Sequence, residues 1–169
     1  MGNMNRLVLF AASVVFATFL ALSVIGELPE RMAIHFDGNG SADGWTSRES
    51  YRLYMLFFLT VVPSLLVWLM AGLPRVTNGR GQIPNAEYWF EQERRQTTQN
   101  FLINHAFWLG IMTVAVVYGI HLTIVRANAI SPPVLAIDRF IAMVVIYLCG
   151  LVWWLIAFLR HFQKVDEHD

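Results

Sequence analysis

Four long stretches without a charged side chain constrain this fold more than any other feature. They cover residues 7–26, 53–73, 101–125 and 140–159. Each reaches or approaches the roughly 20 apolar residues that a helix needs to cross the bilayer core. Only 14% of the residues are charged, against about a quarter in soluble domains, which leaves too little polar chain to cover four buried helices. We therefore predict an all-α membrane protein, with residues 1–169 forming a single bundle of four transmembrane helices that contacts the lipid bilayer.

The remaining composition excludes several classes of protein. The net charge is zero, so no basic patch predicts a nucleic-acid partner. Cys149 is the only cysteine, and therefore no disulfide can form within the chain. The first stretch follows Arg6 and could be a signal peptide. Its apolar part exceeds the usual 7–15 residues, which favours an uncleaved membrane anchor.

Basic residues in the connecting segments predict the orientation, because they are enriched on the cytoplasmic side. Seven fall on the side of the termini and five on the other side. The first group is Arg6, Arg75, Arg80, Arg94, Arg95, Arg160 and Lys164, and the second is Arg31, Arg48, Arg52, Arg126 and Arg139. We expect a multi-pass protein of the plasma membrane, with both termini and segment 74–100 in the cytoplasm and segment 27–50 outside.

The predicted spans contain few groups able to do chemistry. No Asp, Glu, Lys or Arg lies inside them, which argues against a proton relay. His105 and His121 in the third span are sixteen residues apart, which places them about 24 Å apart along a helix, too far to share a metal. We expect each to be an interfacial or hydrogen-bonded histidine. Pro63 should kink the second span.

A stripe of small residues follows one face of the first span. Ser13, Ala17 and Ala21 stand four residues apart, and such stripes allow helices to approach closely in lipid. The stripe is compatible with packing inside the bundle and with the seam of a homo-oligomer.

Segment 27–50 carries the most informative motif. Residues 33–36 can form a short extended piece, and the Gly, Asp and Asn residues that follow require tight turns. Thr46 and Glu49 read as a capping box at the start of the second span. Trp45 should lie at headgroup level. The candidate recognition residues of this loop are His35, Phe36, Asp37, Asn39, Gly40, Asp43, Gly44 and Trp45.

A calcium site in this loop is disfavoured by two positions. Asp37, Asn39, Ser41 and Asp43 alternate as in an EF-hand, but Ala42 stands where that loop needs Gly and Arg48 where it needs Glu. His35 has no second ligand at zinc-site spacing. We predict no metal and no cofactor, and the alternative to a ligand site is a structural cap.

The loop resembles the signature of a bacterial membrane domain of unknown function, found at the N-terminus of SdpI-type toxin-immunity and signalling membrane proteins. The matching residues are Leu28, Pro29, His35, Phe36, Gly40, Asp43, Gly44 and Trp45, whereas Asp37 and Ala42 replace the usual Asn and Pro. The resemblance implies a membrane bundle with an outward-facing recognition loop. This chain lacks the extra C-terminal spans of the immunity proteins, and the resemblance implies no reaction.

A second resemblance to these proteins lies in segment 83–95, which looks like the cytoplasmic segment before their third span. Pro84 and Asn85 should start a helix that runs straight into that span. Glu91 should pair with Arg95 one turn on. The candidate residues of this cytoplasmic interface are Tyr88, Trp89, Arg94 and Arg95.

Three hypotheses for the function follow. The first is an accessory, sensory or immunity-like protein whose outer loop recognises an extracytoplasmic peptide or protein partner. The second is a small transporter or export component, with Asn104 and His105 lining a cavity. The third is a membrane hydrolase, for which only His35 with Asp37 or Asp43 offers acid–base groups. No nucleophile or metal motif is present, so we do not expect an enzyme.

Overall fold

The computed structural model describes residues 2–163 and contains four helices long and apolar enough to cross a membrane. We label them α1 (Asn3–Ile25), α2 (Arg48–Thr77), α4 (Arg95–Asn128) and α5 (Ile137–Gln163). A short helix, α3 (Ala86–Trp89), lies between α2 and α4. The prediction of a helical, multi-pass membrane protein is confirmed. Lys164, which entered the count of basic residues, lies outside the described residues.

The helices extend beyond the uncharged stretches because their polar ends can reach water. Helix α2 begins five residues before the stretch that predicts it. Its N-cap is Ser47, whose hydroxyl oxygen accepts from the amide of Ser50. The capping box that we predicted at Thr46 is therefore wrong by one position, because the helix begins at Arg48 and the residue before it is Ser47.

Pro63 lies within an irregular region of α2. The backbone widens to π-helical turns at Phe57–Val61 and Trp68–Gly72, with a regular turn that carries Pro63 between them. A proline has no amide hydrogen and its ring clashes with the carbonyl four residues earlier. A π-turn immediately before the proline accommodates both effects without ending the helix.

Helix α4 is the centre of the bundle. It contacts α1, α2 and α5, whereas α5 packs chiefly against α4 alone. One core cluster joins Ala17 and Ala21 of α1 to Leu59 of α2 and Val114 of α4. The stripe of small residues on α1 thus serves packing within the bundle.

The segment between α1 and α2 forms an antiparallel β-hairpin. Its strands are β1 (Arg31–Phe36) and β2 (Ala42–Ser47). Gly40 has a φ of 84°, and the main chain at this turn accepts a hydrogen bond from the amide of Leu135 in the α4–α5 loop. An isolated bridge between Ser41 and Val134 extends this contact. The hairpin and the α4–α5 loop together cover one end of the bundle, which we call the hairpin end.

The segment before α4 differs from the prediction. Helix α3 has only one turn, and Phe90–Arg94 separates it from α4, so the predicted continuous helix is wrong. Asn85 has a φ of 54° and makes no capping hydrogen bond with its side chain. The break is stabilised by Thr98, whose hydroxyl donates to the carbonyl of Trp89 at 2.8 Å.

Candidate functional site

The hairpin has one face against the helices and one face exposed. Met32 of β1 is fully buried and packs with Ile25, Tyr51 and Ile124. Arg31, His35, Asp43 and Trp45 are exposed and form the other face. Burial alternates along β2 but not along β1, where the register shifts between Ala33 and His35.

Two side-chain pairs join the strands across the exposed face. The guanidinium carbon of Arg31 lies 5.0 Å from the centre of the Trp45 ring, which is within cation–π range. His35 Nδ1 lies 2.5 Å from Asp43 Oδ1, with 74% of the histidine side chain and 48% of the aspartate exposed. Gly44 permits this approach, because a Cβ there would lie 2.6 Å from the Cβ of His35. The exposed face therefore combines an aromatic ring, a cation and an acid–base pair.

The turn between the strands is held by its own side chains. Asp37 Oδ1 accepts hydrogen bonds from the amides of Asn39 and Ser41 at 2.8 and 2.9 Å. A Cβ on Gly40 would lie 2.5 Å from the carbonyl oxygen of Leu135. Asp37 and Gly40 therefore have structural roles. Phe36 is half-buried and lines a cavity beneath the hairpin.

Of the eight loop residues singled out from sequence, three thus carry side chains that form the exposed face: His35, Asp43 and Trp45. Within residues 2–163, no three His, Cys, Asp or Glu side chains lie close enough to hold one metal ion.

Asn128, in the last turn of α4, attaches the hairpin to the bundle. Its Oδ1 accepts from the amide of Ala33, and its Nδ2 donates to the Ala33 carbonyl, both at 2.9 Å. The side-chain amide thus occupies the edge of β1 as a neighbouring strand would. Arg48 adds a second attachment, since its guanidinium donates to the carbonyls of Gly26 and Leu28 at 3.0 and 2.7 Å.

A buried polar pair lies beneath the hairpin. The Tyr51 hydroxyl is 2.9 Å from His121 Nδ1, and both residues are almost completely buried. Within residues 2–163, His121 Nε2 has no hydrogen-bond partner. His121 is therefore a hydrogen-bonded histidine inside the bundle, and not an interfacial one.

His105 has an equivalent role near the opposite end. Its Nε2 lies 3.1 Å from the carbonyl oxygen of Trp154, and the indole of Trp154 donates to the carbonyl of His105 at 3.0 Å. This reciprocal pair joins α4 to α5. The His105 ring is therefore engaged in a contact between two helices, whereas the transporter hypothesis requires it to line a cavity.

The residues of the predicted cytoplasmic interface have two different roles: Tyr88 and Arg94 contact each other, whereas Trp89 packs against α5. The guanidinium carbon of Arg94 lies 3.9 Å from the centre of the Tyr88 ring, and Arg94 also forms an ion pair with Glu91. The Glu91 carboxylate therefore pairs with the guanidinium of Arg94 and not with that of Arg95, which is exposed. Trp89 has a structural role, because it packs against Phe162 at the end of α5.

Sequence reasoning missed the two residues that complete the hairpin. Arg31 enters the sequence analysis only as one of the basic residues, because it precedes the predicted extended piece at residues 33–36. Asn128 is 95 residues from its partner, and nothing in the local sequence indicates that contact.

The comparisons with known proteins concern this same region. The model of a domain of unknown function, DUF1648, matches residues 12–61. These 50 of the 169 residues include most of α1, the whole hairpin and the first half of α2. No curated protein and no solved structure matches the chain.

Proposed function

We propose that this chain is an accessory or sensory membrane protein, of the immunity-like kind, whose hairpin recognises an extracytoplasmic peptide or protein partner. The observation that carries the proposal is the exposed face of the hairpin. It presents Trp45 and Arg31 beside the pair of His35 and Asp43, on strands attached to the helices through their main chain.

The chemistry of this face suits a protein partner. Trp and Arg are the side chains enriched at the energetic centres of protein interfaces. His35 and Asp43 add donors and acceptors that fix the orientation of a partner. Because Asn128 and Arg48 hold the hairpin in place, binding would require little ordering of the loop, and pre-ordered surfaces lose less entropy on association.

The orientation expected from the basic residues supports this role. With the hairpin outside the plasma membrane and both termini in the cytoplasm, Tyr88, Arg94 and Arg95 face the cytoplasm. The central helix α4 joins the two ends, because it contacts β1 at the hairpin end and follows the Tyr88–Arg94 segment at the other. A bound state outside would be passed to a cytoplasmic or membrane neighbour through α4.

Affinity purification from native membranes tests the proposal. The test variant is the double substitution His35→Ala and Asp43→Ala. The matched control is Glu49→Ala with Arg52→Ala, which removes another exposed ion pair of the same end, with an Nη1–Oε2 distance of 3.0 Å. We expect a partner that the wild type and the control retain and that the hairpin variant loses. If all three purify with the same companions, the hairpin is a structural cap and the proposal is wrong.

A further inference from the structure

Two cavities are stacked in the groove between α4 and α5. The first has about 320 Å³ and is lined by apolar or weakly polar groups that include Met112, Ala115, Met143 and Tyr147. The second has about 260 Å³ and lies directly beneath β1, between Ile120 and Thr123 of α4 and Phe140 of α5. The groove is open along the side of the bundle because α5 packs chiefly against α4.

One contact separates the two cavities. A Cβ on Gly119 would lie 2.5 Å from the sulfur of Met143, so the Met143 side chain packs directly on the backbone of α4 at this point. In the first cavity, a Cβ on Gly150 would lie 3.3 Å from the sulfur of Met112. Methionine side chains are unbranched and flexible, and they adapt to apolar ligands of variable shape. A flexible apolar ligand that occupies both cavities can displace the Met143 side chain without moving the protein backbone.

The depth of the groove matches one leaflet of a membrane. Met112 lies at the middle of α4, and the lining continues to Thr123 near the hairpin end. Eleven residues of helix rise about 16 Å, which is about half of a hydrocarbon core of roughly 30 Å. The groove thus runs from the bilayer centre to the interface, which is the path of a single acyl chain.

The size of the cavities excludes a protein segment as the occupant. A helix with its side chains is about 10–12 Å across, and an extended segment would bring unpaired amides and carbonyls into an apolar groove. A hydrocarbon chain has no such groups. The first cavity is lined by no charged side chain that would oppose its entry.

We propose that the groove between α4 and α5 binds one acyl chain of a phospholipid from the leaflet at the hairpin end. The part of the acyl chain nearer the headgroup lies under Ile34 and Phe36 of β1, and the part nearer the bilayer centre lies beside Met112 and Met143. This inference does not depend on a partner of the hairpin.

Photolabelling tests the site. The protein is reconstituted in vesicles of phosphatidylethanolamine and phosphatidylglycerol that contain a phosphatidylethanolamine with a diazirine in the middle of one acyl chain. Adducts on the wild type are then mapped by mass spectrometry. We expect them to concentrate at residues 112–123 of α4 and at Phe140, Met143 and Tyr147 of α5, and not at Leu148 and Val152 on the lipid-exposed face of α5.

Two variants that each introduce a phenylalanine, one inside the groove and one outside it, sharpen the test. Ala115→Phe fills the first cavity, whereas Leu148→Phe adds the same ring on an exposed position outside it. Displacement of about two buried methylene groups corresponds to roughly a tenfold loss of labelling, which we expect for Ala115→Phe alone. Equal labelling of the two variants, or adducts spread evenly around the wild-type α5, would show ordinary surrounding lipid and overturn the proposal. If Ala115→Phe does not fold, the wild-type adduct map decides.

Discussion

Replacement of Asn128 by alanine should release the hairpin from the bundle. Asn128 makes two hydrogen bonds with the main chain of Ala33, and Ala33 is fully buried. The substitution removes both partners at once and introduces no group that can replace them. The amide and the carbonyl of Ala33 then remain desolvated unless the hairpin moves away and admits water.

The size of the effect follows from these two groups. A buried main-chain group left without a partner costs about 1–3 kcal/mol. Partial access of water at the end of α4 favours the lower half of this range, so the two groups together should cost about 2–4 kcal/mol. Since about 1.4 kcal/mol corresponds to a factor of ten, the open state of the hairpin should become roughly 30 to 700 times more populated.

Amide hydrogen exchange measures this population directly, because exchange of a protected amide follows the equilibrium of local opening. We expect peptides that cover residues 31–36 to exchange faster in Asn128→Ala by that factor, in detergent or in nanodiscs. The control is Thr123→Ala on the same helix, since the Thr123 hydroxyl donates only to the carbonyl of Ile120 within α4. Unchanged exchange at residues 31–36 in Asn128→Ala would refute the role of Asn128 as the attachment of the hairpin.

Two further predictions concern residues near the same attachment. Tyr51→Phe removes the hydrogen bond between the Tyr51 hydroxyl and the buried His121 ring, so it should destabilise the protein by about 1–3 kcal/mol. The control is Tyr54→Phe, which changes an exposed tyrosine. Thermal unfolding in detergent should show a lower Tm for Tyr51→Phe than for Tyr54→Phe. Gly40→Ala forces a side chain into a φ of 84° and against the α4–α5 loop, at a cost of at least about 1–2 kcal/mol. The control Gly38→Ala has open space around its Cβ, and equal Tm values for these two glycine variants would contradict the argument.

The spans could be predicted from the sequence because their cause is local. A stretch of about 20 residues without charge is a property of consecutive residues, and lipid selects for it wherever it occurs. Each predicted stretch therefore lies inside an observed helix, apart from its last residue in the case of 7–26. The ends were less predictable, since α2 starts at a serine N-cap and the break before α4 depends on Thr98 and Trp89.

The hairpin could be predicted only in part. The turn residues indicated tight turns correctly, and the first strand was expected over four of its six residues. The second strand contains Asp43 and Gly44, which have low β propensity, and it forms because β1 provides its pairing partners. Contacts over 95 residues, such as that of Asn128 with Ala33, depend on how the helices pack and leave no periodic signal in the sequence.

The contacts that hold the hairpin are separate from the side chains that form its exposed face. The hairpin and the segment before it are held through their main chain. Asn128 bonds to the backbone of Ala33, Leu135 bonds to the turn at Gly40, and Arg48 bonds to the carbonyls of Gly26 and Leu28 ahead of β1. Within residues 2–163, the hydrogen bonds and ion pairs of the His35 and Asp43 side chains link these two residues to each other and not to a helix. The side chains of the exposed face can therefore be replaced without loss of the attachment. For the same reason, a loss of binding in the His35 and Asp43 double variant would report on recognition and not on folding, provided that exchange at residues 31–36 stays at the wild-type rate.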